Sequence, residues 1–212
     1  MTQVQNIRPE EIEGESFRII EQEFASQTGR RQEDFTDHEF AILRRVIHAT
    51  GDFSFAESLK LHAGAIESGL AAIRSGRNIY TDVTMVAAGI GRKLSSAYGG
   101  RLICRVGDEE VGRLAKERGQ TRAETALAMS CDDNIGIVVV GNAPTALLAA
   151  IKLVAKGAFS PDLIVGVPVG FVNAAESKEL LSQQEKPYIT VLGRRGGSPV
   201  AAAIVNALLK MS

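Results

Sequence analysis

The sequence predicts an α/β three-layer sandwich, a parallel sheet of about five strands with helices on both faces, preceded by a helical arm. Three observations predict it. From Asn78 onward, short apolar runs alternate with helical segments that open on capping residues. The runs are rich in uninterrupted β-branched residues, as in IVVV, which suits strands covered on both faces by crossover helices. Before that point the rhythm is helical only. At 212 residues the chain is long enough to close one sizeable core and short for two. One domain over 1–212 is therefore expected, with the arm at about 10–76 and the α/β body at about 77–212.

In the arm, Thr36 and Glu39 form a capping box that starts a helix carrying Phe40, Leu43 and Ile47 at helical spacing, ending near Gly51. A second helix is expected from about Ala56 to Arg74, with Leu59, Ile66, Leu70 and Ile73 on one stripe, His62 on that stripe and Gly76 beyond its end. In the body, NIYTDV, RLICRV, IGIVVVG, DLIVGVP and YITVLG read as strands. Helix starts are marked by Asp108, by Thr121 with Glu124, by Asn142 with Pro144, by Asn173 with Glu176 and by Ser198 with Pro199. The expected strand order is 2-1-3-4-5, the flavodoxin-like arrangement, in which ligands bind beyond the carboxyl ends of the strands near the point where the order reverses.

The loops at those ends are TDVTM, VGDEE, GNAPT, GVPVGFVN and GRRGGSP. Their glycines allow close backbone approach, and the helix starts just downstream offer unpaired amides and a positive dipole end. An anionic ligand is favoured, and Arg194 and Arg195 can grip a carboxylate or a phosphate. There is no GxxxxGK[ST], and none of these loops shows GxGxxG. Charge is balanced, with 24 Lys and Arg against 25 Asp and Glu, so bulk charge implies neither nucleic acid nor a membrane surface as partner. The apolar stretches 135–141 and 199–209 fall short of a bilayer span, and the start TQVQNIRPEEIEGES lacks signal-peptide shape; a cytoplasmic location is expected. Cys104 and Cys131 stand apart and read as buried small hydrophobes, with no disulfide framework and no metal site indicated.

No GxSxG or HExxH motif accompanies the 3 histidines, which focuses attention on His48 in RRVIHATGDF. At the last turn of its helix the negative dipole end favours the imidazolium, as a proton donor requires. On spacing alone, His48 better suits a residue that merely satisfies the helix end or packs under Phe53 and Phe55. His62 reads as a core histidine and His38 as a surface one. Arg45 shares the His48 helix face and suits either a ligand contact or a surface salt bridge. Ser16 fits a helix cap or a ligand contact, and Asp82 fits a cap of the following helix or a ligand contact. Arg122 lies in the first turn of its helix, where a cation is unfavourable; an anionic partner explains it, as does simple solvent exposure.

Together ESFRII, RRVIHATGDF, TDVTMVAAGI, TRAETA, GNAPTALL, GVPVGFVNAAESKE and GRRGGSPVAAAIVNALL make the chain resemble the precorrin-8X and cobalt-precorrin-8 methylmutases, from about residue 12 to 209. The resemblance implies an isomerase of corrin synthesis that moves a methyl group between adjacent carbons at ring C of precorrin-8X or cobalt-precorrin-8. It implies His48 as the general acid, no organic cofactor, and a homodimer with the site near the subunit interface. Arg45, Arg122 and Arg194, with amides at Asn142 and from Gly170 to Asn173, are then expected to meet the carboxylate arms. Met85, Val169 and Phe171 are expected to cover the ring. ATGDFSF mixes features of the two branches of the family, which leaves the substrate's metal state open. Two other readings of the same loops are a corrinoid carrier without catalysis and a flavodoxin-like module for a nucleotide or flavin.

Overall fold

The structure, a computed structural model, describes residues 7–91 and 97–212; residues 1–6, where the polar start begins, lie outside. Among the described residues six strands form one sheet: β1 (Leu59–Leu61), β2 (Asn78–Thr81), β3 (Leu102–Ile103), β4 (Ile135–Val140), β5 (Leu163–Gly166) and β6 (Tyr188–Val191). They lie in the order β1-β6-β5-β4-β2-β3. All neighbouring pairs from β2 to β6 are parallel, so these five strands, counted from β2, run 2-1-3-4-5 as expected.

The sheet's two faces follow the two-residue period of a strand. Ile137, Val139, Leu163, Val165, Ile189 and Val191 join one buried cluster, while Tyr80, Val138, Val140 and Ile164 join the other. Ile135 departs from this alternation. Asn78 pairs with Ile135 but Ile79 pairs with Ile137, so Gly136 is the extra residue of a bulge that turns Ile135 to the opposite face. Glycine is required there because a Cβ would lie 2.6 Å from the Arg77 Cβ.

The helices are α1 (Ile12–Thr28), α2 (Asp37–Thr50), α3 (Phe55–Ser58), α4 (Ala65–Arg74), α5 (Thr84–Gly89), α6 (Glu109–Arg118), α7 (Arg122–Ala128), α8 (Pro144–Ala155), α9 (Ala174–Ser182) and α10 (Ser198–Met211). Helices α2, α4, α5 and α10 supply one cluster; α7, α8 and α9 supply the other. The arm is therefore built into the first core: Phe40, Leu43, Val46 and Ile47 of α2 are buried in the same cluster as Val200, Ile204 and Leu208 of α10, against which α2 lies.

The expected helix from Ala56 to Arg74 is not formed. It is divided into α3, the antiparallel edge strand β1 and α4, with Leu59 opposite Val191 and Leu61 opposite Ile189. The open edge of β6 decides this, because its unpaired backbone groups gain partners that a helix would deny them. Hydrogen bonds from the Leu192 amide to the Ser58 carbonyl (2.8 Å) and from the His62 amide to the Tyr188 carbonyl (3.0 Å) extend the pairing at both ends. Consequently His62 is half-buried beside Tyr188 at the strand's end, and its Nδ1 accepts from the Gly64 amide.

Caps follow the expectation in part. Thr36 and Glu39 form the full capping box, Gly51 ends α2 at φ 66°, and Thr121 accepts from the Glu124 amide. Two starts shift by one residue: Ala143 holds the cap position of α8, and Gly197 that of α10, with Pro144 and Pro199 in the first turns. Asp108 and Asn173 hold cap positions without a side-chain bond. Both cysteines are half-buried.

At the carboxyl edge the loop after β6 packs onto the loop after β5. The Gly197 amide donates to the Val167 carbonyl at 2.8 Å. Gly196 has φ 144°, and a Cβ there would sit 2.2 Å from the same carbonyl oxygen. Gly196→Ala is therefore expected to cost about 3 kcal/mol in urea denaturation, strain and backbone clash acting together.

Candidate active site

Helix α2 fixes the candidate catalytic side chain. Its capping box sets the start, Gly51 sets the end, and burial of Phe40, Leu43 and Ile47 sets the rotation. These constraints leave His48 exposed in the last turn, with Arg45 one turn earlier on the same side. The imidazole stands edge-on to Phe17 of α1, centroids 5.5 Å apart at 80°, and the phenylalanines expected to cover it, Phe53 and Phe55, pack into the core instead. The Arg45 guanidinium also faces Phe17, at 5.1 Å, and pairs with Glu13 at 3.0 Å. Lys210 at the end of α10 shares that carboxylate, and the two cations, Lys210 foremost, hold the Glu13 carboxyl down at about 2.

His48 and Arg45 border a concavity of about 240 Å³ whose other walls are Ala49, Gly89 at the end of α5, and Pro199, Ala202, Ala203 and Asn206 on α10. Asn206 ties the two helices that form its floor: its Nδ2 donates to the Gly89 carbonyl (2.8 Å) and its Oδ1 accepts from the Gly91 amide (2.9 Å). Phe17, Glu13 and Asn206 did not emerge from the sequence as site residues. Only Asn206 left a signal, as the one amide within the apolar run 199–209.

From Pro199 the site continues onto the carboxyl-edge loops. Val169 lies near Pro199, both within about 4 Å of where a Gly197 side chain would begin. The Arg194 guanidinium sits over the Phe171 ring at 5.3 Å, and the Gly170 amide donates to the Arg194 carbonyl at 3.2 Å. Met85, Val169, Phe171 and Val172 are 68%, 46%, 82% and 77% exposed, an unusual concentration of bare apolar side chains on one edge. Asn142 is exposed in the loop after β4, and Asn173 enters α9 at φ 59°.

Four expectations need correction. Asp82 neither caps α5 nor reaches the surface. It is fully buried, and its two carboxylate oxygens accept from the amides of Gly141 (3.0 Å), Asn142 (2.8 Å) and Ala143 (2.7 Å). Burial pushes its pKa up while these bonds pull it down. The Asn142 amide is thus taken and unavailable to a ligand. Arg122 is explained without an anion: its Nε donates to the Val106 carbonyl (2.8 Å) and its Nη2 to the Asp108 carbonyl (2.9 Å). Ser16 lies inside α1, donating to the Ile12 carbonyl at 2.8 Å, so it is no cap.

Arg195, unlike its neighbour, is committed within the chain. Its Nη1 donates to Asp52 Oδ2 at 2.6 Å and to Ser54 Oγ. The Ser54 side chain and amide, with the Arg195 charge, hold the Asp52 carboxyl below the usual carboxylate range. The Arg195 carbonyl accepts from Lys178 Nζ, whose side chain is fully buried. Desolvation lowers that ammonium from 10.5 to about 8.

The reversed sheet order and the cleft that His48 borders between α2, α5 and α10 give an open α/β protein with an acid–base candidate on that cleft. The family model for precorrin-8X methylmutase (CbiC) matches residues 11–211. The cobalt-precorrin-8 methylmutase of Priestia megaterium is 40% identical over 203 residues, covering 95% of this chain and 88% of that protein. The precorrin-8X methylmutase of Pseudomonas aeruginosa is 46% identical over 167 residues, 77% of this chain and 80% of its own. A crystal structure of precorrin-8X methylmutase from Thermus thermophilus superposes with a TM-score of 0.84 at 37% identity, covering 95% of each chain. The chain belongs to the precorrin-8X methylmutase family, and it is an isomerase that catalyses intramolecular methyl migration.

Two stability measurements test the buried charges. Asp82→Asn puts an amide donor against backbone donors and is expected to cost about 3 kcal/mol in urea denaturation. For Lys178 the folded value lies below the unfolded one, so folding releases a proton between about pH 8 and pH 10.5, and stability rises with pH across that window. Lys178→Met is expected to lack this rise, a difference on the order of 2 kcal/mol between pH 8 and pH 10 in paired denaturation curves.

Proposed function

We propose that the chain moves a methyl group between adjacent carbons at ring C of precorrin-8X or cobalt-precorrin-8, with His48 as general acid. The observation that carries this reading is the exposed His48 imidazole on the rim of a cleft it shares with Arg45. An imidazolium there donates a proton to the conjugated macrocycle. One carbon–methyl bond then breaks as its neighbour forms, and the proton is returned as the new double-bond pattern settles, so product and substrate are isomers. Positioned acid catalysis of this kind typically contributes about 10²–10⁴ in rate. The remainder comes from binding the macrocycle in a reactive conformation.

The substrate's acetate and propionate arms find charge at Arg45 and Arg194, and donors at the Asn142 side chain and the backbone from Gly170 to Asn173. Met85, Val169 and Phe171 offer an apolar surface for the ring. A concavity of about 240 Å³ is small beside the roughly 300–1,000 Å³ usual for ligand sites, and a tetrapyrrole is a large ligand. A homodimer in which the partner closes the site over the exposed apolar edge resolves this mismatch. No helix among the described residues is long and apolar enough to cross a membrane, and a cytoplasmic enzyme is the reading that accords with a biosynthetic family.

Visible absorbance distinguishes substrate from product. His48→Ala is expected to lower turnover by at least about 10²-fold while product affinity changes little. Undiminished turnover would remove His48 from the mechanism. A wild-type chain that binds the product but converts no substrate would make it a carrier.

A further inference from the structure

We infer that Arg195 is a positioning residue, tying the loop after β6 to the turn that ends α2 and so setting where that loop, with Arg194, stands relative to His48. The inference rests on His48 as the proton donor. Its starting point is the unequal placement of two adjacent arginines. Arg194 lies over Phe171 and has no carboxylate partner among the described residues. Arg195 reaches across 143 residues of sequence to Asp52 and also holds the Ser54 hydroxyl.

Both ends of this tie are fixed. On the sheet side, the Arg195 carbonyl accepts from the buried Lys178 ammonium, the Arg194 carbonyl accepts from the Gly170 amide, and the Gly197 amide donates to the Val167 carbonyl. On the α2 side, the Ser54 amide donates to the second Asp52 oxygen at 2.9 Å. The Asp52 amide approaches Thr50 Oγ1 (3.3 Å), which in turn donates to the Val46 carbonyl. His48 lies between Val46 and Thr50 in that turn. Loss of the tie therefore frees the loop that carries Arg194 to shift relative to the imidazole, and a substrate seated on that loop shifts with it.

The pair contributes little to stability. The Arg195 and Asp52 side chains are 61% and 36% exposed, and exposed ion pairs typically contribute about 0–1 kcal/mol. Geometry is the more sensitive quantity, because a misplacement of about 1 Å can cost on the order of 10² in rate. The two expectations separate a positioning role from a structural one.

The test compares Arg195→Gln, Asp52→Asn, the double variant and Arg195→Lys with the wild-type full chain, using the His48 absorbance assay and product titration. Each neutral single variant is expected to lower kcat about 10- to 100-fold. KM, product affinity and the thermal midpoint should stay near wild type, the double variant should be no worse than the worse single, and Arg195→Lys should recover most of the rate. Unchanged kcat in Arg195→Gln overturns the inference, as does a loss of affinity at constant kcat, which would make Arg195 a ligand contact. A fall in kcat that tracks a fall in thermal midpoint also overturns it. The His48→Ala control keeps the two levels apart: if that variant still turns over, the reading of His48 fails, whereas its inactivity beside an active Arg195→Gln defeats the positioning role alone.

Discussion

The carboxylate of Asp82 governs where this molecule can hold a ligand. It stands at the carboxyl end of β2, and the amides it accepts from belong to the loop after β4. These are the two strands between which the order 2-1-3-4-5 reverses, the place where open α/β sheets usually open a binding crevice. Here the chain fills that crevice with its own anion, and the loop amides at the start of α8 are spent before any ligand arrives. The packing agrees: a side chain on Gly141 would meet Val86 of α5 and Ala201 of α10, so α5, α10 and this loop close over the switch point. The histidine cleft accordingly lies outside this closure, between α5, α10 and α2.

That displacement explains the arm. A cleft on the outer side of α10 has no sheet edge to supply its second wall, and α2 supplies it. The buried stripe of α2 fixes His48 and Arg45 over the alanine face of α10 at Ala202 and Ala203, where short side chains leave room. Helix α1 then brings Phe17 against the imidazole and Glu13 against Arg45. Glu13, a carboxylate on that cation, keeps Arg45 oriented and its charge compensated.

The fold was largely legible from the sequence because its signals are local. Runs such as IVVV, with a capping residue after each, report burial on two faces and a crossover helix without knowledge of distant residues. The edge strand β1 was not legible. Leu59, Ile66, Leu70 and Ile73 share a helical spacing, and only the free edge of β6, some 130 residues on, makes extended backbone at Leu59–Leu61 the better choice. The candidate site divided along the same line. That His48 and Arg45 share one face of a helix, and that the glycine-rich loops stand at the carboxyl ends of the strands, was legible from helical spacing and strand order. The destinations of Asp82, Arg122 and Arg195 were not, because each is set by partners from 14 to 143 residues away.

The buried and exposed charges consequently do different work. Asp82 and Lys178 are fully buried, and each holds backbone groups of a carboxyl-edge loop, so their loss would expose unsatisfied groups in the interior. Arg45 borders the cleft and Arg194 lies over Phe171 on the loop edge, where a cation can exchange its partner at small cost, whereas Arg195 is committed to Asp52. A ligand with many carboxylates gains most from a surface of this second kind standing on a frame of the first. The frame holds the loops still while the surface cations retain the freedom to choose their partners.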